Sequence, residues 1–173
     1  MNRAFSLIVD NNPGVLSRIA GLFSRRGYNV ESITAGGTTI PHYTRITIVA
    51  SGDEQILSQI EKQVRKLEDV ISIKVLDPAN SVDRELIMVK IKASPKERTE
   101  IITTADIFRA KIVDVETNLL MIELTGNQSK IEAFLKLLEG YKILELARTG
   151  ITGLSRGINE EESLSYLKEQ EEN

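Results

Sequence analysis

The 173-residue sequence contains no cysteine, no tryptophan and a single histidine, His42. The absence of cysteine excludes disulfide frameworks, thiolate metal sites and cysteine nucleophiles, and one histidine is too few for a multi-histidine metal cage. No apolar run approaches the roughly 20 residues that a membrane-spanning helix needs, and the N-terminus lacks a signal-peptide pattern. A net charge of −3 argues against a general nucleic-acid binder. We therefore expect a cytoplasmic protein with little catalytic chemistry and with neither a membrane nor a nucleic acid as partner.

The remaining composition is that of an ordinary globular protein, with 41% apolar and 27% charged residues. Acidic residues are concentrated at the C-terminus, where residues 157–173 carry six glutamates against one lysine. We predict an acidic C-terminal tail over residues 157–173, forming a solvated helix or a frayed end.

Hydrophobic periodicity predicts two domains with the same order of elements. In residues 1–78, stretches of alternation and of helical spacing follow one another in the order βαββαβ. A breaker cluster at residues 77–81 separates this region from residues 79–156, where the order returns. We therefore predict an α+β fold of two tandem ferredoxin-like domains, 1–78 and 79–156. Each is an α/β sandwich in which two helices cover one face of a four-stranded antiparallel sheet.

The predicted topology leaves the second strand of the first domain at an edge of its sheet, because the first and third strands are central. This strand, expected over residues 28–39, contains a β-prone stretch at residues 30–35 with only one charge. An unpaired edge of this kind favours association with another strand. We expect a homodimer in which a second copy continues the sheet.

The segment Asn11-Asn12-Pro13-Gly14-Val15-Leu16 follows the first strand and opens the first helix. Asn12 is predicted as the N-cap and Pro13 as the first helical residue, where a missing N–H costs nothing. The next amides then lack helical acceptors, and the helix dipole makes this end partially positive. A carboxylate suits such an end, since Gly14 has no side chain to hold a ligand away and no fixed lysine favours a polyphosphate. The same residues would also serve as a simple helix cap, and the pattern alone favours that role over a ligand site.

Further strings accompany this segment in both halves of the chain. They are Arg25-Arg26-Gly27-Tyr28-Asn29-Val30-Glu31-Ser32-Ile33 in the first half, and Asp83-Arg84-Glu85-Leu86, Phe108-Arg109-Ala110, Glu123-Leu124-Thr125-Gly126 and Ala147-Arg148-Thr149-Gly150 in the second. Together with the βαββαβ order, they resemble an ACT domain. Over nearly the whole length, the chain is similar to the regulatory small subunits of acetolactate synthase (acetohydroxyacid synthase).

The resemblance implies a chain that is not itself an enzyme. It implies that the chain binds the catalytic (large) subunit, raises its activity and confers feedback inhibition by a branched-chain amino acid, usually valine. Thiamine diphosphate, magnesium and FAD would belong to the catalytic subunit, with no cofactor or metal held by this chain. The effector would sit between two ACT domains of a homodimer.

From this resemblance we place the effector's carboxylate on the first-turn amides, with the side chain of Asn11 as a further donor. The expected effector-binding residues are Asn11, Gly14, Val15, Leu16, Asn29 and Val30. Asn29 and Val30 would come from the neighbouring protomer and accept from the effector's ammonium, and Leu16, Val30 and Ile33 would enclose its side chain. One methylene is worth only about 1–3 kcal/mol, so the choice of valine over leucine or isoleucine rests on the resemblance.

The same topology also serves RNA-recognition modules, acylphosphatases and free-standing sensors. The third strand, at residues 43–50, lacks the basic-glycine-aromatic pattern of an RNA reader, and residues 10–14 contain no arginine for an acylphosphatase phosphate loop. Asp114, Glu116 and Glu123 are interpreted as exposed strand residues instead of metal ligands. The alternative that stays open is a stand-alone ACT-type amino-acid sensor that regulates a different enzyme or regulator.

Overall fold

The computed structural model describes residues 1–157 together with Leu164 and Glu169, and the chain divides into two compact units. Unit 1 comprises Met1–Val82 and the chain from Ile151 onward, and unit 2 comprises Asp83–Gly150. Within the described part, no helix is long and apolar enough to cross a membrane.

Unit 1 has the predicted βαββαβ order. Its elements are β1 (Asn2–Asp10), α1 (Val15–Arg26), β2 (Asn29–Gly37), β3 (Tyr43–Ser51), α2 (Glu54–Val64) and β4 (Val70–Leu76). The antiparallel sheet runs in the order β2-β3-β1-β4, which confirms that the first and third strands are central and that β2 lies at an edge. The second strand is shorter than the predicted 28–39.

The core of unit 1 lies between the helices and one face of the sheet. Alternation along β1 directs Phe5, Leu7 and Val9 into this core, where each is at most 1% exposed. The buried residues of the two helices recur at helical spacing, and they are Val15, Ile19, Leu22, Phe23, Leu57, Ile60 and Val64. This packing fixes α1 against the sheet, so that the start of α1 lies beyond the carboxyl end of β1.

Unit 2 repeats the order. Its elements are β5 (Ser81–Lys92, whose first two residues are counted in unit 1), α3 (Pro95–Ile107), β6 (Lys111–Glu116), β7 (Leu119–Gly126), α4 (Gln128–Leu138) and β8 (Lys142–Arg148). The strand order β6-β7-β5-β8 again places the first and third strands at the centre. Thr117-Asn118 forms the hairpin turn between β6 and β7, which end and begin on either side of it.

The structure divides the chain differently from the predicted boundaries at 78/79 and 156. Unit 2 ends at Gly150, and a short strand that the sequence pattern did not predict, β9 (Thr152–Ser155), belongs to unit 1. Two side chains of unit 1 hold this segment. Thr34 Oγ1 donates to the carbonyl oxygen of Ile151 at 2.9 Å, and Lys74 Nζ donates to Ser155 Oγ at 2.9 Å. Residues 151–156 therefore complete the first unit.

The acidic tail predicted over residues 157–173 lies mostly outside the described residues. Of this stretch the structure describes Gly157, Leu164 and Glu169. Leu164 packs against a small apolar cluster of unit 1 formed by Ile8, Ile40 and Tyr43. The prediction of a solvated helix or frayed end is otherwise not tested.

Candidate functional site

The segment between β1 and α1 forms a tight turn before the helix starts. The N–H of Val15 donates to the carbonyl oxygen of Asn12 at 3.3 Å, and Gly14 has φ 87° and ψ −7°. Proline at the second position and a glycine with positive φ at the third are typical of a type II β-turn. The prediction that Asn12 caps the helix and that Pro13 is its first residue was therefore wrong. α1 begins at Val15 with Gly14 at the N-cap position, because Pro13-Gly14 favours this turn over continuous helix.

The helix start has no side-chain cap. Within the described residues, the N–H groups of Gly14, Leu16 and Ser17 make no hydrogen bond, whereas the N–H of Val15 is used by the turn. The prediction of three open amides at Gly14, Val15 and Leu16 is thus corrected at Val15, whose side chain is buried. Open amides at a helix N-terminus, together with the helix dipole, attract a small anion.

The loop between β2 and β3 and the start of β3 hold the turn in place. The N–H of Asn11 donates to the carbonyl oxygen of His42 at 2.7 Å, and its side-chain Nδ2 donates to that of Pro41 at 3.3 Å. Asn11 Oδ1 accepts from Thr44 Oγ1 at 3.1 Å. The predicted donor at Asn11 therefore keeps one Nδ2 hydrogen, and its orientation is fixed by the loop between β2 and β3.

A fixed cation, which the sequence did not indicate, lies beside the turn. It is the guanidinium of Arg18, which forms a two-bond ion pair with Asp69. The N–H of Arg18 donates to the carbonyl oxygen of Gly14. Nε donates to Asp69 Oδ2 at 2.6 Å, and Nη2 donates to Oδ1 at 2.7 Å. These hydrogen bonds hold the pKa of the Asp69 carboxyl below its ordinary value and raise the pKa of Arg18, so both groups stay charged near neutral pH.

Asn29 and Val30 lie at the other end of the same sheet. Asn29 pairs with Ser51, which pairs with Asn2 at the start of β1, whereas the turn follows Asp10 at its end. The two ends of β1 are about 26 Å apart at about 3.3 Å per residue. Within one chain, therefore, the predicted residues form two separate groups.

The side chain of Asn29 is held by hydrogen bonds that leave one group open. Nδ2 donates to Glu31 Oε1 at 2.8 Å and to Ser51 Oγ at 2.6 Å, while Oδ1 makes no hydrogen bond with the described residues. An ammonium group needs an acceptor of this kind. Val30 and Ile33 are partly buried against the core, and Leu16 is 47% exposed beside the turn.

Other chemistry-bearing residues do not assemble into a site. Among the described residues, no group of three or more acidic or histidine side chains is placed to hold a metal ion. Asp114 and Glu116 are exposed on β6, and Glu123 lies 4.0 Å from Lys111 in a cross-strand ion pair. All three carboxylates lie on strands, and Glu123 is partly buried. The turn before α1, with Asn11 and Arg18 beside it, therefore remains the best-defined candidate site in the described part of the chain.

Family models match both halves of the chain. Residues 5–72 match a family model described as an AHAS small subunit-like ACT domain, and residues 84–157 match one described as small subunit of acetolactate synthase. A probable acetolactate synthase small subunit of Methanothermobacter thermautotrophicus is 54% identical over 88% of this chain and 91% of its own length. The isozyme 3 small subunit of Escherichia coli is 46% identical over 91% of this chain and 97% of its own.

A solved structure is also similar to the chain over most of its length. The crystal structure of an acetolactate synthase small subunit from Thermotoga maritima superimposes with a TM-score of 0.85 at 40% identity. It covers 92% of this chain and 99% of that protein. Sequence similarity and structural similarity to these proteins therefore both extend over units 1 and 2.

Proposed function

This chain belongs to the family of regulatory small subunits of acetolactate synthase, and we propose that it activates the catalytic subunit and confers feedback inhibition by valine. Membership in the family implies a catalytic-subunit partner. The observation that supports the effector role is the uncapped start of α1, since this helix end lies inside the ACT domain and leaves its amides open. In this proposal, thiamine diphosphate, magnesium and FAD belong to the catalytic subunit, and this chain acts allosterically in branched-chain amino-acid biosynthesis.

The proposed carboxylate site consists of the N–H groups of Gly14 and Leu16, with the remaining Nδ2 hydrogen of Asn11. These donors suit a small anion, because hydrogen bonds to a charged group are stronger than neutral ones. Val15 contributes through its buried side chain, which anchors the turn, and its N–H is not free for the ligand.

The ammonium site requires a second copy of the chain. Because the turn follows the end of β1 and Asn29 lies level with its start, they meet only if another protomer brings its β2 alongside. A two-fold axis that pairs the two β2 edges antiparallel places the start of one β2 beside the end of the other, on the side where the turn lies. Asn29 Oδ1 and backbone carbonyls near Val30 would then accept from the ammonium. We propose a homodimer through the ACT domains with an effector at each of two equivalent sites.

The side chain of the effector would lie against Leu16 of one protomer and Val30 of the other. Leu16 is 47% exposed, so its side chain is accessible to a ligand. A small apolar pocket accepts valine, but it separates valine from leucine or isoleucine by only about 1–3 kcal/mol.

Activity measurements with the catalytic subunit test the function directly. Purified chain is added to the acetolactate synthase catalytic subunit of the same organism, and acetolactate formation is measured with and without valine, leucine and isoleucine. We expect increased turnover and inhibition by valine. Unchanged turnover and unchanged sensitivity would overturn the proposal and favour the stand-alone amino-acid sensor.

Mixed dimers test the shared site. Gly14→Asp places a carboxylate where that of the effector is proposed to bind. Asn29→Ala removes the acceptor for the ammonium, and a ligand group left unpaired costs roughly 1–3 kcal/mol. In a heterodimer with one variant in each protomer, one site carries both changes and the other carries none. We expect calorimetry of purified heterodimers to show half the number of wild-type sites, whereas both homodimeric variants bind weakly. Weak binding at every site of the heterodimer would show that the two residues do not act across the dimer.

A further inference from the structure

The guanidinium of Arg18 is held beside the turn by its ion pair with Asp69. Both oxygens of the carboxylate are engaged, at 2.6 and 2.7 Å. Asp69 is itself tied to the end of β1, because its carbonyl oxygen accepts from the N–H of Asp10 at 2.9 Å. Two hydrogen bonds on one edge of a planar group fix its orientation as well as its position.

The remaining terminal nitrogen of Arg18 faces Gly14. Nη1 makes no hydrogen bond within the described residues and lies 3.1 Å from the point where a Cβ on Gly14 would stand. The absence of that Cβ therefore lets a charged donor lie close beside the open amides of the turn. A carboxylate bound beside Gly14 would meet both.

We infer that Arg18 is a second anchor for the effector's carboxylate and gives this site its preference for amino acids with a free carboxylate over neutral derivatives. This inference rests on the proposed function, which places the effector at the turn. The turn amides recognise an acceptor oxygen of either kind, because amide and carboxylate oxygens both accept hydrogen bonds. A fixed guanidinium adds an interaction that depends on the ligand's negative charge.

The ion pair alone gives little reason for such a fixed arrangement. The Arg18 side chain is 50% exposed and that of Asp69 is 16% exposed, and ion pairs open to solvent on one side contribute little to stability. The arrangement does, however, suit recognition. Asp69 orients the guanidinium and leaves Nη1 directed at the turn.

The test compares valine with valinamide, which keeps the amine and the isopropyl group but has no negative charge. Calorimetry at a pH where both amines are protonated gives the ratio of their affinities for the wild-type chain, for Arg18→Gln and for Arg18→Lys. Arg65→Gln is the matched control, because Arg65 is also half-exposed and forms an ion pair, with Glu61 at 3.0 Å, but lies on α2's end.

We expect Arg18→Gln to lose about ten- to 100-fold in valine affinity with little change for valinamide, the range of one charge-assisted hydrogen bond. Arg18→Lys should keep part of the preference, since it retains the charge without the fork, and Arg65→Gln should keep all of it. Equal losses for the two ligands would overturn the inference, because they would mean that Arg18 only holds the turn in shape. An unchanged ratio would overturn it as well.

The same measurement separates this inference from the proposed function. No valine binding by the wild-type chain, alone or with the catalytic subunit, would overturn both. Tight valine binding with a preference that Arg18→Gln leaves intact would overturn the role of Arg18 alone. Thermal unfolding of each variant checks that the fold is retained, and Arg18→Lys still tests the charge if Arg18→Gln does not fold.

Discussion

Helices α1 and α3 occupy the same place in the βαββαβ order of their units, yet they begin in opposite ways. α3 starts at Pro95 after a capping box: the Ser94 side chain accepts from the N–H of Glu97, and Glu97 Oε2 accepts from the N–H of Ser94 at 2.9 Å. α1 starts after Gly14 with no side-chain cap. A capping box satisfies two open donors internally and adds a negative charge, so the start of α3 does not attract an anion. The start of α1 keeps its donors available.

The two helices end alike, so the contrast is confined to their starts. The N–H of Tyr28 bonds to the carbonyl oxygen of Phe23 at 3.0 Å after α1, and that of Ala110 bonds to Ala105 at 2.8 Å after α3. Both are the longer hydrogen bond of a Schellman motif, with a residue of positive φ before it. The open start of α1 is therefore a local property of unit 1, and it lies where an effector is proposed to bind.

The largest effect is expected from Gly14→Asp. The new carboxylate would fill the space over the turn amides, take the free Nη1 of Arg18 and repel the effector's carboxylate. We expect valine affinity to fall at least about 100-fold, equivalent to about 2.7 kcal/mol, while activation of the catalytic subunit is largely retained. Calorimetry and acetolactate assays measure the two properties separately.

Gly14→Ala is the control for the backbone. It introduces the strain of a side chain at φ 87° without the charge, so its loss should be clearly smaller. Normal valine affinity in Gly14→Asp would refute the placement of the carboxylate.

A smaller effect is expected when α1 receives the acidic residue of the capping box in α3. Ser17 occupies the position in α1 that Glu97 has in α3, the third helical residue. Ser17→Glu should lower valine affinity about tenfold through charge repulsion, while the same charge near the helix start stabilises α1 by about 0.5 kcal/mol. Binding and stability thus change in opposite directions, as calorimetry and urea unfolding can measure. Ser17→Gln, which lacks the charge, should show neither change, and equal losses in both variants would count against an anion site.

Much of the fold follows from periodicity, because burial is decided by residues that are close in sequence. Alternation in β1 predicts which face carries Phe5, Leu7 and Val9, and the structure buries these residues. The start of α1 was less predictable, since Asn12-Pro13-Gly14 is compatible with both a helix cap and a type II turn. Contacts with His42, in the loop between β2 and β3, and with Thr44, in β3, accompany the turn that forms.

The parts of the site that the sequence did not reveal depend on distant residues. Arg18 and Asp69 are 51 positions apart. Their ion pair exists only because the fold brings the loop between α2 and β4 beside α1. The position of Arg18 four residues after Gly14 was a usable signal, because residues at this spacing share a helix face. β9 gave none, since four residues containing Gly153 show no clear alternation. The effector contacts predicted for Asn29 and Val30 stay predictions.

In unit 2, Ser94→Ala should affect stability and leave effector binding unchanged. Loss of an N-cap side chain typically lowers the free energy of unfolding by about 1 kcal/mol. Urea unfolding measures this loss. The valine affinity measured by calorimetry should stay within about twofold of wild type, whereas a change of about 1.4 kcal/mol in binding free energy would be tenfold. A loss of valine affinity comparable to that in Ser17→Glu would break the comparison between the two helix starts.

The capping box also predicts a pH dependence. Hydrogen bonds from Ser94 hold the pKa of Glu97 below its ordinary value. A carboxyl group with a lowered pKa in the folded state stabilises above its unfolded pKa, and this contribution is lost as the pH falls through the folded pKa. The stability difference between the wild type and Glu97→Gln should therefore shrink on acidification below about pH 4. A constant difference across this range would contradict the assignment.

The smallest effect concerns the helix ends, where the same motif uses different residues. Gly27 follows α1 at φ 65°, whereas Arg109 holds the corresponding place after α3 at φ 54°. Positive φ costs an L-residue about 1–2 kcal/mol, and replacing Arg109 by glycine removes this cost. Part of the gain is lost again because glycine has greater freedom in the unfolded chain. Arg109→Gly should therefore stabilise by about 0.5 kcal/mol. Gly27→Ala should destabilise, which provides the matched control in unit 1. Arg109 is exposed, so destabilisation by Arg109→Gly would contradict backbone strain at this position. A stable variant that activates the catalytic subunit less would instead indicate that the side chain contacts the partner.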